Sequence, residues 1–333
     1  MSQARTVLVT GGAGYIGSLL TGLLIARGHS VRVADCLFFG GEPLLPYFTH
    51  PGFRFYRIDV CTDPLDELLE GVEVVYHLAA LVGFPACQRA GEAAATRINV
   101  GGTRRVWDAA AGRGAERFIL ASTYSSYGVA ANGTPVTEES PLHPQSLYAR
   151  TKIAAERVVL DSLTESRVVG VVARFATLFG ISPRTRFDLM VNQFVLEAFR
   201  DRRLVVYEQD FNRSFVHVRD VAEALLLLLE APADLVRGEI FNVGGDDGNY
   251  SKQQIIELIC QHLPDVAVEY RDLTFSGDMR DIRVSFEKIR SRLGFKPALT
   301  LDNGIVEVLT ALRSGLIHDP DSNQHRNSPS IVQ

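Results

Sequence analysis

The stretch "TVLVTGGAGYIG" (residues 6–17) decides the fold. An apolar run typical of a buried strand leads directly into a turn that carries Gly11, Gly14 and Gly17 in the spacing G-x-x-G-x-x-G. Glycines at a strand-to-helix turn let the backbone approach a pyrophosphate, and the following helix offers free N–H groups and its positive dipole end. The stretch therefore predicts a strand, a dinucleotide-binding turn and a helix.

An acidic residue stands at the distance that such a turn requires. The second apolar run, "VRVAD" (31–35), ends in Asp35. A carboxylate there accepts hydrogen bonds from a ribose diol and repels a 2′-phosphate, which favours NAD over NADP. Arg32 comes shortly before it, but the alternation of side chains along a strand argues against a phosphate contact. Asp59, after the third run, fits either a contact to the adenine amine or a strand-end cap.

Apolar strands alternate with helical segments through the first half of the chain. The predicted strands are 6–10, 31–35, 53–59, 72–80, 117–122 and 168–175, and the predicted helices are 15–27, 93–112 and 147–163. Such alternation is typical of a parallel sheet covered on both faces, and right-handed crossovers then give a doubly wound fold. We predict an α/β protein with a Rossmann-type doubly wound parallel sheet and a smaller C-terminal substrate-binding lobe.

The pattern becomes irregular after residue 178. We expect a NAD-binding domain over 1–178, with 213–243 returning to its sheet as a strand and a helix. The lobe then comprises 179–212, which includes an amphipathic helix at 186–200, and 244–318. The tail 319–333 is polar and is predicted to be loose.

Composition narrows the function classes. The 333 residues are 46% apolar and 22% charged, and the net charge of −5 comes without a block of Lys or Arg, which argues against nucleic acid. The longest apolar run, 224–229, is too short to span a bilayer, and the N-terminus leaves no room for a signal peptide. The cysteines, which lack metal-ligand spacing, favour reduced thiols in a cytoplasm and no metal site; they are Cys36, Cys61, Cys87 and Cys260.

Two short motifs carry candidate chemistry. "STYSSYG" (122–128) crowds hydroxyl groups at the end of a predicted buried strand, where they fit either a hydrogen-bonded turn or a contact to a substrate. "YARTK" (148–152) places Tyr148 and Lys152 four residues apart, on one face of a helix. A neighbouring ammonium and an oxidised nicotinamide favour the phenolate form of such a tyrosine, which can then remove a proton from a substrate hydroxyl.

Together these motifs resemble the extended short-chain dehydrogenase/reductases of the nucleotide-sugar epimerase/dehydratase type. The motifs that carry the resemblance occur in the family's order across about 6–313: "TGGAGYIG", Asp35, "DV" (59–60), "HLAA" (77–80), "INVGGT" (98–103), "STYSSYG", "YARTK", "ARFATLFG" (173–180) and "RSFVHVRD" (213–220). The resemblance implies NAD held permanently in the first domain and a nucleotide-diphosphate sugar under the smaller lobe.

The resemblance also implies roles for individual residues. Thr123 would bridge the sugar hydroxyl and the catalytic Tyr148, Lys152 would also bind the nicotinamide ribose, and Asn99 would brace the site. The implied cofactor-binding residues are Gly11, Gly14, Tyr15, Ile16, Gly17, Asp35, Asp59, Val60, Leu78, Ala79, Ala80, Asn99, Ser122, Tyr148, Lys152 and Phe175.

Arginines of the lobe are the implied partners of the substrate diphosphate, because one guanidinium can bind two phosphate oxygens. Arg213 matches the family's phosphate-binding arginine and Arg280 comes second; Arg184 and Arg186 follow, and solvated loop charges explain those two equally well. The implied substrate-binding residues are Val82, Thr123, Tyr124, Thr177, Arg184, Arg186, Asn192, Arg213 and Arg280.

The two residues after Thr123 sort the resembling enzymes by reaction. The 4,6-dehydratases have Asp-Glu there, decarboxylating members a Glu at the second position, and 3,5-epimerising members a Cys. This chain has Tyr124 and Ser125, so the resemblance leaves hydride transfer at one carbon, most simply a 4-epimerase.

Two alternatives stay open. "ALVGFPAC" (80–87), "RFATLFGISPRTRFDLMVN" (174–192) and "GDMRDIRVSFEKI" (277–289) resemble a branch with enzymes of nucleotide-activated heptoses, among them a GDP-heptose 4-dehydrogenase that stops at the ketone. Thr177 also replaces an Asn of the galactose epimerases. A non-catalytic NAD-sensing regulator is the third reading, although such proteins typically lose the Tyr or the Lys.

The resemblance implies a homodimer as well. Helices near 93–112 and 147–163 carry apolar residues on more than one face, and the family pairs them with their copies. Small residues such as Ala154 and Ala155 would allow the close approach of such helices.

Overall fold

The computed structural model describes residues 3–128, 134–271 and 281–327. Its strands are β1 (Thr6–Thr10), β2 (Ser30–Asp35), β3 (Phe53–Arg57), β4 (Val74–His77), β5 (Arg117–Thr123), β6 (Val169–Phe175), β7 (Thr177–Phe179), β8 (Arg203–Tyr207), β9 (Asn212–His217), β10 (Ile240–Val243), β11 (Asn249–Ser251) and β12 (Ala267–Arg271). Its α-helices are α1 (Tyr15–Ala26), α2 (Asp66–Leu69), α3 (Phe84–Thr96), α4 (Gly102–Gly112), α5 (Leu147–Asp161), α6 (Met190–Asp201), α7 (Val218–Glu230), α8 (Ala233–Val236), α9 (Lys252–His262), α10 (Glu287–Leu293) and α11 (Leu301–Arg313).

Seven of the described strands form one parallel sheet in the order β10-β6-β5-β4-β1-β2-β3. From β1 the chain first adds β2 and β3 on one side and then continues with β4 on the other. The carboxyl ends of β1 and β4 therefore flank the point where the winding reverses, which is where α/β sheets bind ligands. The predicted doubly wound fold is confirmed.

The strands alternate their side chains between two hydrophobic clusters. Val7 and Val9 pack in one cluster with α1 and α7, whereas Leu8 packs in the other with α4 and α5. Burial on both faces explains why the strand sequences are almost continuously apolar.

The remaining strands of the lobe form two small sheets, β11-β9-β7 and β12-β8. The strand that we expected to return to the main sheet at 213–217 is instead β9, which pairs with β7 and β11. Its side chains serve two cores, since Phe215 packs in the lobe cluster and Val216 in a main-sheet cluster. Within the segment 213–243, only α7 and β10 return to the main sheet. The division of the chain into domains stays a prediction.

Two further expectations are wrong. The helix expected at 186–200 begins at Met190, because the backbone of Leu189 before it is extended, and Arg186 and Asp188 form an ion pair in the preceding loop. The tail expected to be loose over 319–333 packs onto the protein over 321–327; the amide of Phe187, for example, donates to the carbonyl of His325 at 2.8 Å, and 328–333 lie outside the described residues. Among the described helices, none is long and apolar enough to cross a membrane.

Candidate active site

The glycine turn after β1 is shaped by close backbone contacts. Gly11 has a φ of 72°, and a Cβ placed on it would lie 2.8 Å from the Ala79 backbone nitrogen. A Cβ on Gly17 would overlap the carbonyl oxygen of Gly11. The turn therefore requires glycine, and it leaves the N-terminus of α1 as an anion-binding cradle. Gly14 and Ile16 are partly exposed in it.

Asp35 is fixed at the end of β2 by two backbone amides. Oδ2 accepts from the Ala13 amide at 3.0 Å and Oδ1 from the Leu37 amide at 2.8 Å. Burial raises the pKa of Asp35, while the two amides and the Arg184 charge oppose that shift. Each oxygen keeps a lone pair for a ribose hydroxyl. Arg32 donates to the Leu68 carbonyl at 2.8 Å, which commits it to the end of α2.

The residues expected around the adenine and the nicotinamide lie at neighbouring strand ends. Asp59 accepts from the Cys61 amide at 2.9 Å, which is a turn contact that leaves its other oxygen for adenine. Val60 is buried, whereas the three residues after β4 are partly exposed; they are Leu78, Ala79 and Ala80. Phe175 on β6 pairs in register with Thr123 on β5.

Helix α5 carries Tyr148 and Lys152, the predicted catalytic pair. Ser146 caps its N-terminus by accepting a hydrogen bond from the Ala149 amide at 3.1 Å. The helix packs against β5 and the turn that follows it. Thr123, at the end of β5, donates to Ser125 Oγ at 3.0 Å and accepts from the Ser125 amide at 3.1 Å. The Thr123 hydroxyl therefore takes part in a local turn, and this turn packs against α5.

Lys152 is only 4% exposed. Burial lowers the pKa of Lys152 to about 8, and the carboxylate of Glu156 opposes that shift. Glu156 lies one helical turn further along α5 and is itself buried. A buried ammonium whose charge is supported by a carboxylate suits a partner for a phenolate.

Sequence reasoning missed the polar network behind this lysine. Arg174 on β6 donates to both carboxylate oxygens of Glu156, at 2.9 and 2.6 Å, and to the Tyr127 hydroxyl at 2.9 Å. Ser122 also donates to Glu156, so its hydroxyl is committed to the network. The sequence signal for this network is the spacing of Tyr148, Lys152 and Glu156 at four-residue steps. The strand register then places Arg174 opposite Ser122.

Asn99 lies in a π-helical stretch, Arg97–Gly101, and is 1% exposed. Its Oδ1 accepts from the Leu81 amide at 2.7 Å, and its Nδ2 donates to the Leu81 carbonyl at 3.0 Å and to Thr151 Oγ1 at 2.9 Å. We correct the expected cofactor contact of this side chain, because both amide hydrogens are used inside the protein. Asn99 instead braces the helix at the residue before Lys152.

His77 is a second residue that sequence reasoning did not single out beyond its motif. Its ring nitrogens bond Thr10 Oγ1 at 2.8 Å and Thr103 Oγ1 at 3.1 Å. Burial, with the Lys152 charge, lowers the pKa of His77 to about 3, so the ring is neutral. Its place is a structural link from β1 and β4 to α4.

The predicted substrate-binding residues lie on several different elements, and one of them is outside the described residues. The Tyr124 hydroxyl bonds Thr177 Oγ1 at 2.8 Å, and Val82 is partly exposed after β4. Arg213 is buried on β9 opposite Tyr250. Arg280 lies outside the described residues.

Asn192 is fully buried, so we correct its expected substrate contact. Its Oδ1 accepts from the Gly180 amide at 2.9 Å, and its Nδ2 donates to the carbonyls of Gly180 at 3.0 Å and Arg186 at 2.9 Å. The side chain closes the loop 180–186. Tyr15 of the glycine turn donates to the same Gly180 carbonyl at 2.7 Å, which places this loop over the start of α1.

Arg184 and Arg186 are not solvated loop charges, since they are 4% and 7% exposed. Arg186 donates to Asp188 at 3.0 and 2.8 Å. Burial would lower the pKa of Arg186, but the Asp188 carboxylate outweighs it and raises the pKa. Arg184 lies 3.9 Å from the ring centre of Phe39.

The site fits a dinucleotide. The glycine cradle would hold the pyrophosphate, Asp35 the adenosine ribose and Lys152 the nicotinamide ribose. No group of three or more His, Cys, Asp or Glu within 3–128, 134–271 and 281–327 could hold a metal.

Comparison with known proteins agrees with this fit. A model of the NAD dependent epimerase/dehydratase family matches residues 7–244. The chain belongs to this family. UDP-glucuronic acid decarboxylase 4 of Arabidopsis thaliana is 30% identical over 97% of this chain and 72% of its own length. UDP-glucose 4-epimerase of Corynebacterium glutamicum is 28% identical over 93% of this chain and 96% of its own.

The fold of this epimerase/dehydratase family member also matches solved structures. UDP-glucuronic acid 4-epimerase from Bacillus cereus, in complex with UDP-glucuronic acid and NAD, superposes with a TM-score of 0.83 at 23% identity. The match covers 93% of this chain and 99% of that chain. Family membership confirms the predicted cofactor, NAD, and makes the protein a member of a family of enzymes that act on nucleotide sugars.

Proposed function

We propose that the protein is an NAD-dependent nucleotide-sugar 4-epimerase. It would oxidise C4 of a nucleotide-diphosphate sugar to a transient ketone and reduce that ketone on its other face. The observation that carries the proposal is the set Thr123, Tyr148 and Lys152 with Ser125 two residues after the threonine. A serine hydroxyl bonded to Thr123 offers no carboxylate or thiol for elimination, decarboxylation or proton transfer at a second carbon.

The proposed steps use few groups. NAD, when bound, accepts the hydride from C4 and later returns it. Tyr148, as phenolate, takes the proton of the C4 hydroxyl while the C–H bond breaks and the C=O bond forms. Lys152 stabilises the phenolate, and Thr123 orients the sugar hydroxyl. Once the ketone has rotated to present its other face for reduction, Tyr148 would return its proton to the C4 oxygen.

The relatives support oxidation at C4. The choice between reducing the ketone and releasing it depends on the residues of this chain. Both an epimerase and a decarboxylase are among the relatives. The second proposal is therefore a 4-dehydrogenase, for a hexose or a heptose, that releases the ketone. It is favoured by the resemblance of 174–192 to the heptose branch.

The test is a screen of UDP-, GDP-, ADP- and dTDP-sugars with the protein as purified. For an epimerase, proton NMR should show the 4-epimer building up without added NAD, and the product should carry no solvent deuterium at C4. Stoichiometric NADH and a 4-keto product would support the dehydrogenase instead. If every sugar that binds is returned unchanged, both enzymatic proposals are wrong and the regulator remains.

We also propose a homodimer formed by α3, α4 and α5. Ala154 of α5 is partly exposed, but Ala155 is buried in the subunit, so only Ala154 is available for the close approach that we expected. A monomer mass at micromolar concentration by light scattering would contradict the dimer. Absence of nucleic-acid and membrane partners and a cytoplasmic location stay predictions.

A further inference from the structure

Arg184 is a buried cation that the proposed reaction does not use. Its Nη1 donates to Asn327 Oδ1 at 2.6 Å and its Nη2 to the Arg326 carbonyl at 3.2 Å. Its Nε has no hydrogen-bond partner within the described residues, and no described carboxylate lies within salt-bridge distance. Buried guanidinium groups normally meet an anion, because burial without one is costly.

The charges around Arg184 do not compensate its burial. Asp188 is already paired with Arg186, and Asp35 is held by two backbone amides. Burial, together with the Arg186 charge, lowers the pKa of Arg184 to about 9, although Asp188 and Asp35 oppose the shift. The guanidinium would therefore gain from an anionic ligand.

The position of Arg184 is on the cofactor side of the cleft. It stacks on Phe39, four residues after the ribose-binding Asp35. The loop that carries it starts at Gly180, whose carbonyl accepts the Tyr15 hydroxyl at the start of α1. The loop thus runs from the phosphate cradle toward the adenosine ribose, and the nearest anion of a bound dinucleotide in that interval is its diphosphate.

The C-terminal segment 321–327 fastens this loop. Asn327 accepts from Arg184, its amide donates to Asp188 Oδ2 at 3.1 Å, and its Nδ2 donates to the Val82 carbonyl at 3.4 Å. His325 bonds the Thr185 carbonyl at 2.8 Å. Asn327 therefore joins the loop to Val82, in the segment that follows β4.

We propose that Arg184 binds the diphosphate of NAD and that Asn327 positions it there. The proposal rests on the family's cofactor and not on the 4-epimerase reaction. It moves Arg184 from the substrate diphosphate, where the sequence resemblance placed it, to the cofactor. The C-terminal segment then completes the NAD site and helps retain the cofactor.

The first experiment measures NAD itself. Arg184→Gln should raise the dissociation constant for NAD about 10- to 100-fold, as for loss of a charged hydrogen bond, and Arg184→Lys should recover part of it. The NAD that stays bound through gel filtration is quantified enzymatically in a heat extract. The dissociation constant is measured separately, by calorimetric titration of NAD into folded, NAD-free protein. Arg203→Gln, which removes an exposed arginine paired with Glu269, is the matched control and should retain NAD as the wild type does.

The second arm distinguishes the two diphosphates. UDP and GDP serve as probes of the substrate site, and their affinities should change less than twofold in Arg184→Gln. Unchanged NAD affinity with weakened UDP or GDP binding would return Arg184 to the substrate and overturn the proposal. Equal melting temperatures of the NAD-free wild type and variant exclude a folding defect; if the variant does not fold, the Asn327 variants decide.

The third arm tests the C-terminal segment. Asn327→Ala and a chain ending at Ile317 should both release NAD about tenfold faster than the wild type. The double variant Arg184→Gln/Asn327→Ala should speed NAD release by less than the product of the two single effects, because the two substitutions remove the same contact. Additive effects would show that Asn327 does not act through Arg184. None of these readouts requires turnover, so they stand even if the protein is not an epimerase.

Discussion

Lys152 and Arg184 are two buried cations of one site, each 4% exposed and each with its pKa lowered by burial. Lys152 has its supporting carboxylate, Glu156, on the same helix. Arg184 is held by Asn327, which is 143 residues away in the chain. The carboxylate beside Lys152 follows from local spacing along one helix. The environment of Arg184 depends on a distant contact and lacks a described counter-charge.

The largest expected effect tests the local side of this comparison. Tyr148→Phe keeps the ring and removes the proton acceptor, so turnover should fall about 10²–10⁴-fold with little change in substrate affinity. Steady-state kinetics and calorimetric binding measure the two quantities. Tyr47→Phe, which removes a hydroxyl bonded to the Ser18 carbonyl at 3.1 Å, is the control and should keep turnover. Near-normal turnover in Tyr148→Phe would show that Tyr148 is not the catalytic base and that the YARTK motif is an ordinary helix surface.

Next comes the buried pair behind Lys152. Arg174→Met leaves the Glu156 carboxylate buried without its bidentate partner, and the free energy of unfolding should fall by about 3–5 kcal/mol. Arg203→Met breaks an exposed pair with Glu269 and should cost about 1 kcal/mol or less. Urea denaturation of both variants gives the comparison. Similar losses would mean that burial does not distinguish the two pairs.

The features that could be predicted from the sequence are those set by residues close together in the chain. The glycine turn, Asp35 and the pair Tyr148 and Lys152 follow from local spacing within one strand, turn or helix. The burial of Asn192 and the fastening of Arg184 depend on contacts that form only when the lobe and the tail fold back. A polar tail without a periodic pattern gives no sign that Asn327 has a buried partner.

A smaller effect concerns pH. Because the pKa of Lys152 lies at about 8 in the folded protein and near ~10.4 when unfolded, the unfolded chain binds more protons between these values. The Lys152 charge therefore destabilises the NAD-free protein below pH 8, and that penalty fades as pH rises toward 10.4. Lys152→Met should be roughly 1–3 kcal/mol more stable than the wild type at pH 7, with the difference shrinking toward pH 10.

The control for the pH prediction is Lys296→Met, which removes an exposed lysine. Its stability difference from the wild type should stay small across the same range. A difference for Lys152→Met that does not change between pH 7 and pH 10 would show that packing, and not the buried charge, sets its stability.

The smallest expected effect concerns the N-terminal cap of α5 and its influence on turnover. Ser146→Ala removes the cap of α5, and Ser251→Ala removes the cap of α9; each should lower the free energy of unfolding by about 1 kcal/mol. Tyr148 lies in the first turn of α5, so fraying of that turn should lower turnover about two- to fivefold in Ser146→Ala. The α9 variant loses similar stability in the lobe and should keep its turnover. Equal losses of turnover would trace the effect to global stability, and the catalytic tyrosine would then depend on the whole fold as much as Arg184 does.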